Sequence, residues 1–149
     1  MNMKSLVVPS GAALALALVL SACSQMPARV ESVVVVAEAE ANHSTTSAVD
    51  LVFVFDPALL ALMPNNSAQW FEQRPSLLAA AGSGIEVVAM QVPPATMANV
   101  PLPSKSGKAL AVLVYVSFAE DAGRAVGNVT GHREIEIRLA KDSVIYGGK

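Results

Sequence analysis

Apolar residues return at every second position through much of this chain, and that period belongs to half-buried β-strands. In the first such segment, Ser32 to Ala41, Val33, Val35, Ala37, Ala39 and Ala41 share one face. The other face changes from Val34 and Val36 to Glu38 and Glu40. This predicts a strand that enters the core and then runs along a solvated surface, with both glutamates facing water. Asn42-His43-Ser44-Thr45-Thr46-Ser47 is small and polar and reads as a connection. Val49 to Phe55 becomes apolar on both faces, which predicts a central second strand. Asp56-Pro57 starts a helix, because Asp accepts from free backbone N–H groups and Pro fits the first turn. That helix is expected over Ala58 to Met63, stopping at Pro64. Asn66 or Ser67 caps a further piece, Pro75 breaks it, and a last piece from Ser76 to Ala81 ends at Gly82. Trp70, Phe71, Leu77 and Leu78 are expected to fix these helices to the sheet, with core packing the first role for Trp70.

β structure returns at Ile85 to Val92 and ends at Pro93-Pro94, since proline cannot donate to a ladder. Val100-Pro101-Leu102-Pro103 reads as a short edge strand, and Lys105 to Lys108 as a turn. Leu110 to Phe118 is the strongest strand pattern. A polar loop runs from Glu120 to about Gly131. His132 to Ala140 alternates cleanly, with Ile135, Ile137 and Leu139 inward and Glu134, Glu136 and Arg138 outward. Val144 to Tyr146 pairs back as a last short strand. Short strands at this spacing, with one helical insertion between the second and third, predict a mainly β protein built as an antiparallel β-sandwich.

The N-terminus follows a different pattern. Lys4 precedes an apolar run that starts near Leu6 and leaves through small residues, the anatomy of a secretory signal peptide. Its end, Leu20-Ser21-Ala22-Cys23, resembles the lipobox of bacterial lipoproteins, whose cysteine is lipidated and becomes the first residue of the mature protein. The resemblance implies a leader over 1–22, a lipidated N-terminus and tether over 23–31, and a domain over 32–149. It makes the lipid on Cys23 the one covalent group expected. In that class an aspartate after the cysteine signals inner-membrane retention, so Ser24 points to the outer membrane, facing the periplasm. The competing reading is an uncleaved transmembrane anchor, since residues 5 to 22 approach the roughly 18–20 apolar residues a span needs.

Charge and chemistry narrow the function. A formal net charge of −2 gives no basic face for nucleic acid. The single cysteine excludes an intrachain disulfide. His43 and His132 lie in different segments without metal-ligand spacing, so no metal site is expected. There is no GxSxG, P-loop or GxGxxG pattern. Gly82-Ser83-Gly84 lacks both a preceding strand and a following helix and reads as a turn. Neither an enzyme nor a cofactor is expected.

The order of elements resembles the outer-membrane lipoprotein of the type VI secretion membrane complex. The likeness runs from the lipobox through Ala37-Glu38-Ala39-Glu40-Ala41-Asn42 and the valine-rich Val49 to Phe55. It continues through Trp70-Phe71 and Leu77-Leu78, then Leu102-Pro103, then Leu110 to Phe118. It implies a transthyretin-like sandwich that binds the periplasmic domain of an inner-membrane-anchored secretion subunit and ties that machine to the outer membrane. In that family the loop between the first two strands contacts the partner. The matching stretch here is Asn42, His43, Ser44, Thr45, Thr46 and Ser47. An aromatic expected beside Arg124 is missing. Two other roles stay open: a pilotin-like or assembly-factor lipoprotein of another envelope system, and a small-ligand-binding sandwich.

Overall fold

Strand β1 (Ser32–Ala37) buries Val33, Val35 and Ala37 and turns Val34 and Val36 to the opposite face, as its alternation requires. It ends earlier than expected. Glu38 and Glu40 belong to the following turn, so they are not neighbours on one strand face. The computed structural model describes residues 26–149, without the side chains of Ala122 and Gly123. The expected leader, Cys23 and the start of the tether lie outside the described residues. Ala28 and Val30, assigned to the tether from sequence, are buried at 3% and 5% exposure. The Ala28 N–H donates to Ala109 O at 2.7 Å, so the folded body begins by Ala28.

The remaining strands are β2 (Ser47–Val54), β3 (Ile85–Val92), β4 (Met97–Asn99), β5 (Ala111–Val116), β6 (Gly127–Asn128), β7 (Glu134–Leu139) and β8 (Val144–Gly148). One sheet has the order β4-β1-β7-β8 and the other β3-β2-β5-β6. Their inner faces enclose a core that includes Val33, Val35, Leu51, Phe53, Val112, Val114, Ile137 and Leu139. The sandwich is not wholly antiparallel, because β1 and β7 pair in parallel from Ser32↔Glu134 to Ala37↔Leu139. A parallel neighbour needs a long return path, and here the second sheet supplies it between them. The edge strand is β4, three residues before the expected Val100–Pro103. Val100 N–H still bonds Val33 O at 2.9 Å, so the pairing is kept just past the strand's end.

A helical insertion joins β2 to β3 and covers the outer face of the second sheet. Asp56 accepts from Ala58 N–H at 2.9 Å and caps a one-turn helix, Pro57–Leu60. Asn66 accepts from Gln69 N–H at 2.9 Å and caps the helix Ser67–Ala81. Pro75 does not break this helix. Its ring lies on the exposed side of the helix. Meanwhile Ser67, Trp70, Phe71, Arg74, Leu77, Leu78 and Ala81 continue one inward stripe on both sides of it. Trp70 is fully buried and stacks on Tyr115 with ring centroids 4.7 Å apart and planes at 10°. Its indole N–H donates to the buried Asp50 carboxylate at 2.8 Å, and Arg74 approaches the same oxygen at 3.2 Å. Burial raises the Asp50 carboxyl above its ordinary range, and the indole bond and the guanidinium offset that only in part.

Among the described residues no helix is long and apolar enough to cross a membrane.

Candidate functional site

The connection between β1 and β2 is a tight left-handed turn rather than a slack polar loop. Asn42, His43 and Ser44 all have positive φ, at 48°, 52° and 60°. Three successive non-glycine residues in this region are costly, because Cβ approaches the following carbonyl; asparagine tolerates it best. Hydrogen bonds hold the turn in place. Ala41 N–H donates to Glu38 O at 3.0 Å, Asn42 N–H to Ala140 O at 3.0 Å, and Thr45 N–H to Asn42 O at 3.1 Å. The Asn42 side chain is the main clamp. Its Oδ1 accepts from Ala119 N–H at 2.8 Å, tying the turn to the loop that follows β5.

The six residues expected to contact a partner therefore divide into two groups. Asn42 and Ser47 are buried, at 4% and 1% exposure, so their side chains are withdrawn from the surface of the turn. The Ser47 hydroxyl is enclosed without a hydrogen-bond partner among the described residues. His43, Ser44, Thr45 and Thr46 are exposed and form the presented surface. His43 Nε2 lies 3.0 Å from Asp142 Oδ1 and 3.5 Å from Glu120 Oε1, so the imidazole is held between two neighbouring loops.

Arg124, which sequence reading left without a role, braces the β5–β6 loop. Its Nε donates to Phe118 O at 2.9 Å, Nη2 to Ala119 O at 2.7 Å and Nη1 to Asp121 Oδ1 at 3.0 Å. The Ala119 peptide thus gives its N–H to Asn42 and its C=O to Arg124. No local signal in the sequence links residues so far apart; only the meeting of the two loops at one end of the sandwich does.

The four loops at this end carry Glu38, Glu40, Glu120, Asp121 and Asp142, opposed by Lys141, Arg124 and Arg138. The chain enters at the other end, where Glu31 N–H bonds Arg133 O and Ala28 bonds Ala109. Eight-residue β2 separates the two ends by about 24 Å at roughly 3.4 Å per residue. Among the described residues no three His, Cys, Asp or Glu side chains are placed to hold a metal ion. A surface depression of about 470 Å³ lies on the outer face of the first sheet beside Val34, Val36 and Met97.

Comparison with known proteins finds likeness at the level of fold. No family model matches the sequence, and no curated protein matches it. Among solved structures, the T6SS lipoprotein TssJ1 from Pseudomonas aeruginosa superposes with a TM-score of 0.58 at 13% identity, over 83% of this chain and 97% of that one. Serratia marcescens Lip, described as a membrane-bound component of the type VI secretion system, gives 0.52 at 12% identity, over 83% and 99%. A chain in a structure described as the T6SS protein TssM C-terminal domain (869–1107) from EAEC gives 0.53 at 14% identity, over 78% and 99%. The sandwich, with its helical insertion between the second and third strands, is the fold of these type VI secretion lipoproteins.

Proposed function

We propose that this chain is a lipid-anchored structural subunit of a type VI secretion membrane complex. In this reading it is held by lipid on Cys23 in the outer membrane, faces the periplasm, and binds the periplasmic domain of a large inner-membrane-anchored subunit. It has a scaffold role and no catalytic one. The observation that carries the reading is the axis of the domain. The chain enters at one end of the sandwich, and the clamped turn His43–Thr46 is displayed at the other. A tether works in that arrangement, because the anchored end and the gripping end must face opposite ways. A rigid turn also loses little conformational freedom on binding, which favours affinity. The fold likeness to TssJ1 and Lip supports the same role.

Two experiments test it. Metabolic lipid labelling with fractionation should show wild type labelled and membrane-bound, and Cys23→Ser unlabelled and released. An unlabelled wild type, or a Cys23→Ser chain that stays in the membrane, refutes the anchor. Co-purification with the periplasmic domain of the large subunit should yield a stable complex; no complex at micromolar concentrations refutes the partner.

A further inference from the structure

The two ends of the sandwich differ in charge, and the anchored end is the basic one. Arg29 and Lys108 are sequence neighbours of the hydrogen-bonded pair Ala28–Ala109, where the chain enters. Both are exposed, and neither forms an ion pair among the described residues. Lys105 is close by, 4.5 Å from the centre of the Phe55 ring and 3.6 Å from Glu86. Arg133 and Lys149 complete the set of cations at this end. Its acids are Glu31, Asp56, Glu86 and Glu134. Glu31 pairs with Arg133 and Glu86 with Lys105, while Asp56, which caps its helix, and Glu134 keep their charge, so five cations stand against four acids here. Met26, an exposed apolar side chain at 64%, and Pro27 project from the same spot. The opposite end is acidic.

We propose that the end carrying Arg29 and Lys108 rests on an anionic phospholipid surface and orients the domain upright on it. The proposal rests on the lipid-anchor reading. The chain outside the described residues leads from Met26 to Cys23 in three steps, so a lipid there brings this end within reach of headgroups. Each Lys or Arg near an anionic surface is worth on the order of fivefold in affinity, and the effect falls off within a Debye length. The acidic far end is repelled by the same surface. Attraction at one end and repulsion at the other lift the His43–Thr46 turn away from the bilayer. The lipid supplies attachment, and the charges supply direction.

The test uses the lipidated full chain in vesicles of phosphatidylethanolamine, with or without phosphatidylglycerol. With the native cysteine lipidated, an introduced one is the sole thiol. Ser104→Cys places a fluorophore on the basic end, and Thr45→Cys places one on the turn. Headgroup spin labels should quench the Ser104→Cys label more strongly when phosphatidylglycerol is present, and leave the Thr45→Cys label untouched. High salt, or Arg29→Glu with Lys108→Glu, should abolish the difference. Quenching that ignores phosphatidylglycerol, or equal quenching of both labels, overturns the proposal. Failure of the anchor itself shows separately, as an unlipidated wild-type chain.

Discussion

Replacing Asn42 tests whether the left-handed turn is held by one side chain. Asn42 has φ 48° and ψ 46°, and its Oδ1 accepts from Ala119 N–H at 2.8 Å. Asn42→Ala removes the acceptor and puts a plain Cβ in the left-handed region. The first loss costs about 1–2 kcal/mol for a partly buried N–H left unpaired. The second costs about 1–2 kcal/mol. Asn42→Gly loses the acceptor but takes positive φ freely, and adds only the backbone-entropy cost of glycine, about 0.5 kcal/mol. The alanine variant should therefore lose about 3 kcal/mol and the glycine variant about 2 kcal/mol. With a urea slope of about 1.5 kcal/mol/M the midpoints fall by roughly 2 M and 1.3 M. Equilibrium urea unfolding followed by Trp70 fluorescence reads both. Equal losses would show that strain at position 42 is absent, and midpoints within about 0.3 M of wild type would show that Asn42 clamps nothing.

Trp70→Phe keeps the ring but strips Asp50 of its indole donor, and should cost about 2 kcal/mol, whereas Asp50→Asn keeps an acceptor, sheds a desolvated charge and should cost under about 1 kcal/mol; the opposite order in denaturant unfolding would refute the network as described. Burial pushes the Tyr115 phenol up to about 12, so the folded chain resists its ionisation while the unfolded chain ionises near 10. The phenol's share of stability should be intact below pH 10 and fall by up to about 3 kcal/mol as pH rises to 12, and Tyr115→Phe should reduce the fall in thermal melts across the range, leaving the share due to half-buried Tyr146. Ser47→Ala removes a buried hydroxyl with no hydrogen-bond partner among the described residues, and should be neutral or stabilising by up to about 1 kcal/mol without weakening partner binding; a loss of affinity would place Ser47 at the interface.

The strands were legible in the sequence wherever alternation and burial agree. Glu134, Glu136 and Arg138 face out and Ile135, Ile137 and Leu139 face in, as their spacing indicates. The long helix was obscured for two reasons. Pro75 signals a break by its chemistry alone, although a proline on the solvent side can be carried by packing on either side of it. Ser67 and Arg74 also stand at stripe positions where apolar residues would have shown the period. They are polar because the sheet asks for it: Ser67 Oγ accepts from Val116 N–H at 2.9 Å, and Arg74 meets Asp50. The end of β1 was misplaced because Ala39 and Ala41 continue the alternation after the chain has begun to turn. The parallel pairing of β1 with β7 had no local signature, since pairing direction depends on chain far from either strand. In the candidate loop the polar composition was read correctly as a connection. Which of its residues are buried was set by Ala119 and Ala140, partners remote in sequence.

The most direct test of the tether is a calorimetric titration of the large subunit's periplasmic domain into this protein, comparing wild type with His43→Ala/Thr45→Ala. Both substituted side chains are exposed. The double variant should bind at least tenfold more weakly at an unchanged melting temperature. Equal affinity in the two proteins would contradict this and move the gripping surface away from this turn.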